Sequence, residues 1–173
     1  MTGKLDEKFL EYINANAGIA HKVLNVYFDD TDEREDAWQE MMYQLWRSYP
    51  GFNGKSKFST WMYKVCLNTA LTIKRRNRNK KTEPISRVHL EIPMETPENK
   101  NEEAVKLLLQ AISTLSSLNK AIVLLYLENM SYEEIASVVG ISQSNVSVRL
   151  VRIKKELESR IKSKIKSIND VNT

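Results

Sequence analysis

Ser131-Tyr-Glu-Glu-Ile-Ala-Ser-Val-Val-Gly140-Ile-Ser142-Gln-Ser-Asn-Val-Ser-Val-Arg-Leu150 carries the signals of two short helices that meet at a tight turn. Ser131 and Glu134 have capping-box spacing, with Met130 and Ile135 placed as a hydrophobic staple across it. Gly140 can take the left-handed conformation that stops the first helix. Ser142 can cap the second, and Ile141 with Val146 repeats the staple. Val146, Leu150 and Ile153 form a core stripe, which leaves Gln143, Ser144, Asn145, Ser147, Arg149 and Arg152 to face outward. Such a helix-turn-helix can put its second helix into the major groove, N-terminal end first. Gln143 and Asn145 are then placed for base edges, and Arg149 or Arg152 for guanine or phosphate.

Upstream of this motif, Val105, Leu108, Leu109 and Ile112 mark one helix. Ser116 or Ser117 can cap another, with Ile122, Val123, Leu125, Tyr126 and Leu127 as its apolar face. Residues 82–101 hold three of the four prolines (Pro84, Pro93, Pro97) without periodicity, which predicts a linker. Before it, Phe9, Ile13, Ala17, Ala20, Val23, Leu24 and Tyr27 follow a helical period, with Gly18 as a weak point. Asp30 or Thr31 can cap a second helix whose face is Trp38, Met41, Met42, Leu45, Trp46 and Tyr49, ended by Pro50-Gly51. Ser59 or Thr60 starts a third, through Trp61, Met62, Val65, Cys66, Thr69, Ala70 and Ile73. On this pattern Trp38, Trp46 and Met62 read as core, while Tyr49 and Phe52 close the core around the loop. The prediction is an all-α chain: a three-helix domain over 1–81, a flexible linker over 82–101 and a helix-turn-helix domain over 102–168.

Composition agrees. Only 5 glycines and 4 prolines occur in 173 residues, which disfavours a turn-rich β fold. The net charge of +4 is unevenly spread. Asp29 to Glu40 holds seven acids against Arg34. Lys74 to Lys81 holds six bases and no acid, and Arg152 to Lys166 seven bases against two acids. Separate basic zones with an acidic zone apart fit a nucleic-acid binder that also meets a basic protein surface. A single cysteine, Cys66, excludes an internal disulfide, and its apolar setting predicts a small core residue. His21 and His89 have no companions at ligand spacing, so neither a metal nor another cofactor is expected. No nucleophile–base grouping suggests an enzyme. The charged N-terminus does not read as a signal peptide, and the longest apolar run falls far short of a membrane span. A cytoplasmic protein without membrane insertion is expected.

The N-terminal part then narrows the reading. Asp36-Ala-Trp-Gln-Glu-Met-Met-Tyr-Gln-Leu-Trp-Arg47 resembles the signature helix of region 2 of the RNA polymerase sigma factors. Phe52 to Leu71 and the basic tail Lys74-Arg75-Arg76 look like the promoter-melting part of that region, and Leu115 to Leu157 resembles sigma region 4. Two such domains with only a linker between them are similar to the extracytoplasmic-function group. The resemblance implies a subunit that docks on core RNA polymerase through Asp36, Gln39, Glu40, Leu45, Trp46 and Arg47. It implies capture of the single-stranded −10 element by Asn53, Lys55, Ser56, Lys57, Phe58, Trp61, Asn68, Lys74, Arg75 and Arg76. Lys55 and Lys57 have no core role to compete with this one. Duplex −35 DNA would be read by Ser142, Gln143, Ser144, Asn145, Ser147, Val148, Arg149, Arg152 and Lys155. An anti-sigma factor is a further implied partner. The chain departs from the family at Thr72, where Asp is frequent, and at Ser147, where a basic residue is frequent.

Reach is compatible with this. Two elements about two dozen base pairs apart lie ~80 Å from each other. A 20-residue linker spans at most ~66 Å, and two domain radii of ~14 Å bring the total to ~94 Å. The competing reading is a stand-alone helix-turn-helix regulator that binds duplex DNA without polymerase. A single-strand-binding module built on Lys74–Lys81 is a third. The acidic helix and the aromatic-basic loop of the first domain have no purpose in a simple repressor.

Overall fold

The computed structural model describes residues 2–80 and 100–171. The linker expected over 82–101 lies outside the described residues except for its last two, which open a helix. All regular elements among the described residues are helical, and they fall into two compact units. The first holds α1 (Thr2–Tyr27), α2 (Thr31–Ser48), a 3-10 turn (Tyr49–Gly51) and α3 (Phe58–Lys80). The second holds α4 (Lys100–Ser113), α5 (Ser117–Leu127), α6 (Tyr132–Val139) and α7 (Gln143–Val171). None of these helices is long and apolar enough to cross a membrane.

In the first unit each helix buries one stripe against the other two. Ala20, Val23 and Leu24 of α1 meet Ala37, Met41 and Leu45 of α2 and Met62, Cys66 and Ala70 of α3, all nearly inaccessible. Glycine costs about 1 kcal/mol in a helix interior. Gly18 is exposed on α1, and the buried stripe on either side carries the helix through it. Asp30 is the cap of α2: its carboxylate accepts from the amides of Asp32 (2.9 Å) and Glu33 (3.0 Å). The corner before it is pinned twice. Arg34 Nε donates to the Phe28 carbonyl at 2.7 Å, and Lys74 Nζ of α3 lies 4.5 Å from the Phe28 ring centroid while bonding Glu33 at 3.1 Å.

Three details depart from the sequence expectations. Helix α3 begins at Phe58 rather than at Ser59 or Thr60: the Trp61 amide donates to the Lys57 carbonyl at 3.1 Å and closes the first turn one residue earlier, while the Phe58 ring stacks on Tyr12 of α1 at 4.7 Å. Trp38 is only half-buried and stacks on His21 at 4.6 Å. Trp46 is not core at all but 57% exposed, whereas Leu45 is fully buried. The stripe runs Ala37, Met41, Leu45, Tyr49, and Trp46 is one helical step of about 100° off it. Met62 and Cys66 are core as expected.

In the second unit, Ser116 caps α5 through the Asn119 amide. Ile122 and Leu125 of α5 share a core with Ile135 of α6 and with Val146, Leu150 and Ile153 of α7, all essentially buried. Helix α4 packs along α7.

Leu45→Ala is expected to cost the first unit about 2–5 kcal/mol, and Trp46→Ala beside it under about 0.5 kcal/mol. Thermal melts of the two variants decide this, and equal losses would contradict the assignment. Burial pushes the Cys66 thiol up to about 12. The thiolate is the reactive form, so a thiol reagent at pH 8 should label the native chain far more slowly than the denatured one.

Candidate nucleic-acid interface

The helix-turn-helix is built from local bonds. Ser131 Oγ accepts from the Glu134 amide at 3.1 Å, and Glu134 Oε2 accepts from the Ser131 amide at 2.9 Å, which completes the capping box. Gly140 has φ 75° and donates its N–H to the Ala136 carbonyl at 2.9 Å. Ser142 Oγ accepts from the Asn145 amide at 3.2 Å and so caps α7. With Val146, Leu150 and Ile153 buried, Ser142, Gln143, Ser144, Asn145, Val148, Arg152 and Lys155 are exposed. Ser147 and Arg149 are half-buried. Arg149 is already engaged, because its Nη1 donates to Asn119 Oδ1 of α5 at 3.3 Å. Lys154, on the flank, donates to the Tyr126 hydroxyl at 3.0 Å, a bond that raises its pKa. Val151 is 54% exposed within the same face and was missed by the sequence reading, although it stands i+3 from Val148.

In the first unit the expected strand-capturing residues form two groups. One is the loop before α3. Asn53 Oδ1 accepts from the Lys55 amide at 3.1 Å, and Gly54 at φ 72° turns the chain. Lys55, Ser56 and Lys57 are thereby exposed at the tip. Half-buried Phe52 and Trp61 stand 5.2 Å apart, and each lies close to Phe58 (5.5 and 5.2 Å). Phe58 itself is buried, so it serves as the floor of this aromatic rim and not as a contact. Asn68 is exposed on α3, and Thr72 Oγ1 donates back to the Asn68 carbonyl at 2.8 Å. The other group lies about 25 Å further along α3. There Lys74 is tied to Glu33 and Phe28, Arg75 is exposed, and Arg76 lines a groove between α2 and α3.

That groove, about 460 Å³, is walled on the α2 side by Glu33, Asp36, Gln39, Glu40 and Tyr43. Asp36, Gln39, Trp46 and Arg47 are exposed, and Glu40 accepts from Gln44 Nε2 at 2.8 Å. Leu45, expected among the docking residues, is core and can only position the helix. Tyr43, 51% exposed, was missed. Its place four residues after Gln39 and three before Trp46 puts it on the same outward stripe. Among the described residues no cluster of side chains could hold a metal ion.

Residues 12–80 match the family model of Sigma-70 region 2, and residues 106–157 that of Sigma-70 region 4. The chain is similar to the ECF RNA polymerase sigma-E factor of Haemophilus influenzae, at 31% identity over 73% of each chain. It is also similar to that of Escherichia coli strain K12, at 27% identity over 84% of each. Two solved structures share the fold. One is the sigma factor RpoE in complex with the anti-sigma factor NepR from Bartonella quintana, with TM-score 0.64, 18% identity, and coverage of 92% of this chain and 97% of that one. The other is CnrH in complex with the cytosolic domain of CnrY, with TM-score 0.65, 14% identity, and coverage of 91% and 90%.

Replacing Lys74 by Ala removes a partly exposed ion pair and a cation–π contact and is expected to cost about 1 kcal/mol of stability. Arg75→Ala should stay within about 0.5 kcal/mol. Melting curves of the two neighbours compare them, and equal stability would mean that Lys74 does not clamp the α1–α2 corner.

Proposed function

Because the chain belongs to the extracytoplasmic-function sigma factors, we propose that it joins core RNA polymerase through the outer face of α2, captures −10 DNA with the loop before α3, and reads −35 DNA with α7. It is an alternative sigma factor, which directs promoter recognition and transcription initiation. The observation that carries the assignment of surfaces is the segregation of charge within the first unit. Asp36, Gln39, Glu40, Tyr43, Trp46 and Arg47 share the outer stripe of α2, while Lys55 and Lys57 crown the aromatic loop. An exposed tryptophan and tyrosine beside acidic groups suit a basic protein partner, since aromatic anchors concentrate binding energy. Lysines around part-exposed rings suit a single strand, whose bases stack and whose phosphates need counter-charge. The helix-turn-helix supplies a sequence-reading face, with Gln143, Ser144, Asn145, Val148, Arg152 and Lys155 outward.

The division of labour follows the domain boundaries of the sequence reading, 1–81 and 102–168 joined by 82–101. No step asks this chain to make or break a covalent bond, and work on RNA polymerase sets its place of action in the cytoplasm. An anti-sigma factor belongs to the same proposal. One similar solved protein, RpoE of Bartonella quintana, is held by the anti-sigma factor NepR, and Tyr43 and Trp46 give a protein inhibitor an apolar footing at the surface that polymerase would use.

The test is co-elution with purified bacterial core RNA polymerase on size exclusion, beside an Asp36→Lys, Glu40→Lys variant. Wild type should co-elute, and the charge reversal should raise the Kd for core polymerase at least tenfold in titration, about 1.4 kcal/mol. A wild-type chain that elutes alone yet binds duplex DNA by itself would instead establish the stand-alone regulator.

A further inference from the structure

Helix α1 carries part of the aromatic surface that the loop presents. The Tyr12 ring, half-buried, stacks on Phe58 with centroids 4.7 Å apart and an interplanar angle of 17°. Phe58 in turn meets Phe52 and Trp61. Rings therefore run without a break from α1 to the loop rim. One turn before Tyr12, the exposed Lys8 places its ammonium 5.9 Å from the Tyr12 centroid. Lys8 and Tyr12 thus place a cation beside an aromatic ring on the helix, next to a loop that itself exposes Lys55 and Lys57 near half-buried Trp61. Glu7 and Glu11 are exposed on the same helix, each about 100° round it from Lys8 and Tyr12 respectively. Glu11 also stands three residues after Lys8, about 60° round the helix from it, so the Lys8 ammonium faces the Tyr12 ring with one acid beside it.

We propose that Lys8 and Tyr12 form a second wing of the single-strand surface and hold a nucleotide of the displaced DNA strand next to those held by the loop. The ligand is single-stranded DNA: a base lies against the exposed part of Tyr12, and a phosphate meets Lys8. The proposal rests on the assignment of the loop to −10 capture and extends it to a helix outside that loop.

The test uses holoenzyme reconstituted from the full chain and a fork-junction probe built on a promoter mapped for that holoenzyme. One probe has a single-stranded non-template overhang running through and past the −10 element, and the other is fully duplex. Tyr12→Leu should weaken overhang binding about tenfold, and Tyr12→Phe, which keeps the ring, should restore it. Lys8→Ala, at an exposed side chain, should lower the salt slope of overhang binding by about 0.7. Binding of the duplex probe should be unchanged in all three. The proposal is overturned if Lys8→Ala keeps the wild-type slope, if Tyr12→Phe behaves as Tyr12→Leu, or if duplex binding falls equally. A Lys55→Ala, Lys57→Ala variant separates the two levels. If that variant binds the overhang normally, the loop assignment fails. If it weakens while the Lys8 and Tyr12 variants do not, only the α1 wing fails.

Discussion

An α-helix turns by about 100° per residue, and on α2 that step separates Leu45, fully buried, from Trp46, 57% exposed. The same rotation governs α7, where Val146, Leu150 and Ile153 face the core and Val148, Arg152 and Lys155 face outward. Each unit has one small core and every helix must give it a stripe. The residues left for partners are therefore those on the remaining arc. A change of register would bury Trp46 and expose Leu45, forfeiting a side chain whose burial is worth roughly 2 kcal/mol or more. Recognition surface and core are thus two readings of one helical phase.

Charge obeys a second constraint. The formal +4 overstates how much cation is available to DNA. Lys74 is held by Glu33 and Phe28, Arg76 faces an acidic groove, and Lys154 is bonded to Tyr126. Arg160 and Lys162 pair with acids one turn earlier on their own helix. Exposed i,i+4 pairs contribute a few tenths of a kcal/mol and yield readily to phosphate. The Lys74 contact is different, since it joins three elements and moving it would loosen the α1–α2 corner. Runs of basic residues in this sequence are therefore part scaffold and part contact, and only the fold separates them.

Much of this was legible in the sequence because its signals are local. The capping box at Ser131 and Glu134, the left-handed Gly140 and the Ser142 cap act over three or four residues, so spacing reveals them. The all-α class and the buried stripe of α7 follow from periodicity alone. What was not legible depends on partners distant in sequence. Glu33 and Lys74 are 41 residues apart, so nothing in the basic run marks Lys74 as engaged. The α2 face spans six apolar positions, Trp38 to Tyr49, wider than one stripe. Only the packing of α1 and α3 against it decides that Leu45 goes in and Trp46 out. Tyr43 and Val151 stand outside the core stripes read from the sequence, and no motif marks them; their 51% and 54% exposure shows only in the fold.

Tyr49 connects the two faces of the first unit. It ends the buried stripe of α2, and its ring lies 5.1 Å from Phe9, 6.3 Å from Trp61 and 6.5 Å from both Phe52 and Phe58. The loop beyond it is already ordered by the Asn53 turn and by rings at both ends, so little entropy remains to be lost when a strand arrives. The chief cost of capture is then unstacking and unpairing the base, a few kcal/mol. On the proposed role of the loop, its two lysines and part-exposed rings would offset part of that cost, and a firm hold on polymerase would offset more by keeping the loop beside the duplex. On the proposed assignment of surfaces, Tyr49 is the residue that α2 and the loop share, so the face bearing Trp46 and Asp36 and the tip bearing Lys55 and Lys57 are joined through one aromatic cluster. On that proposal, docking and strand capture both fall to one small domain with a shared core.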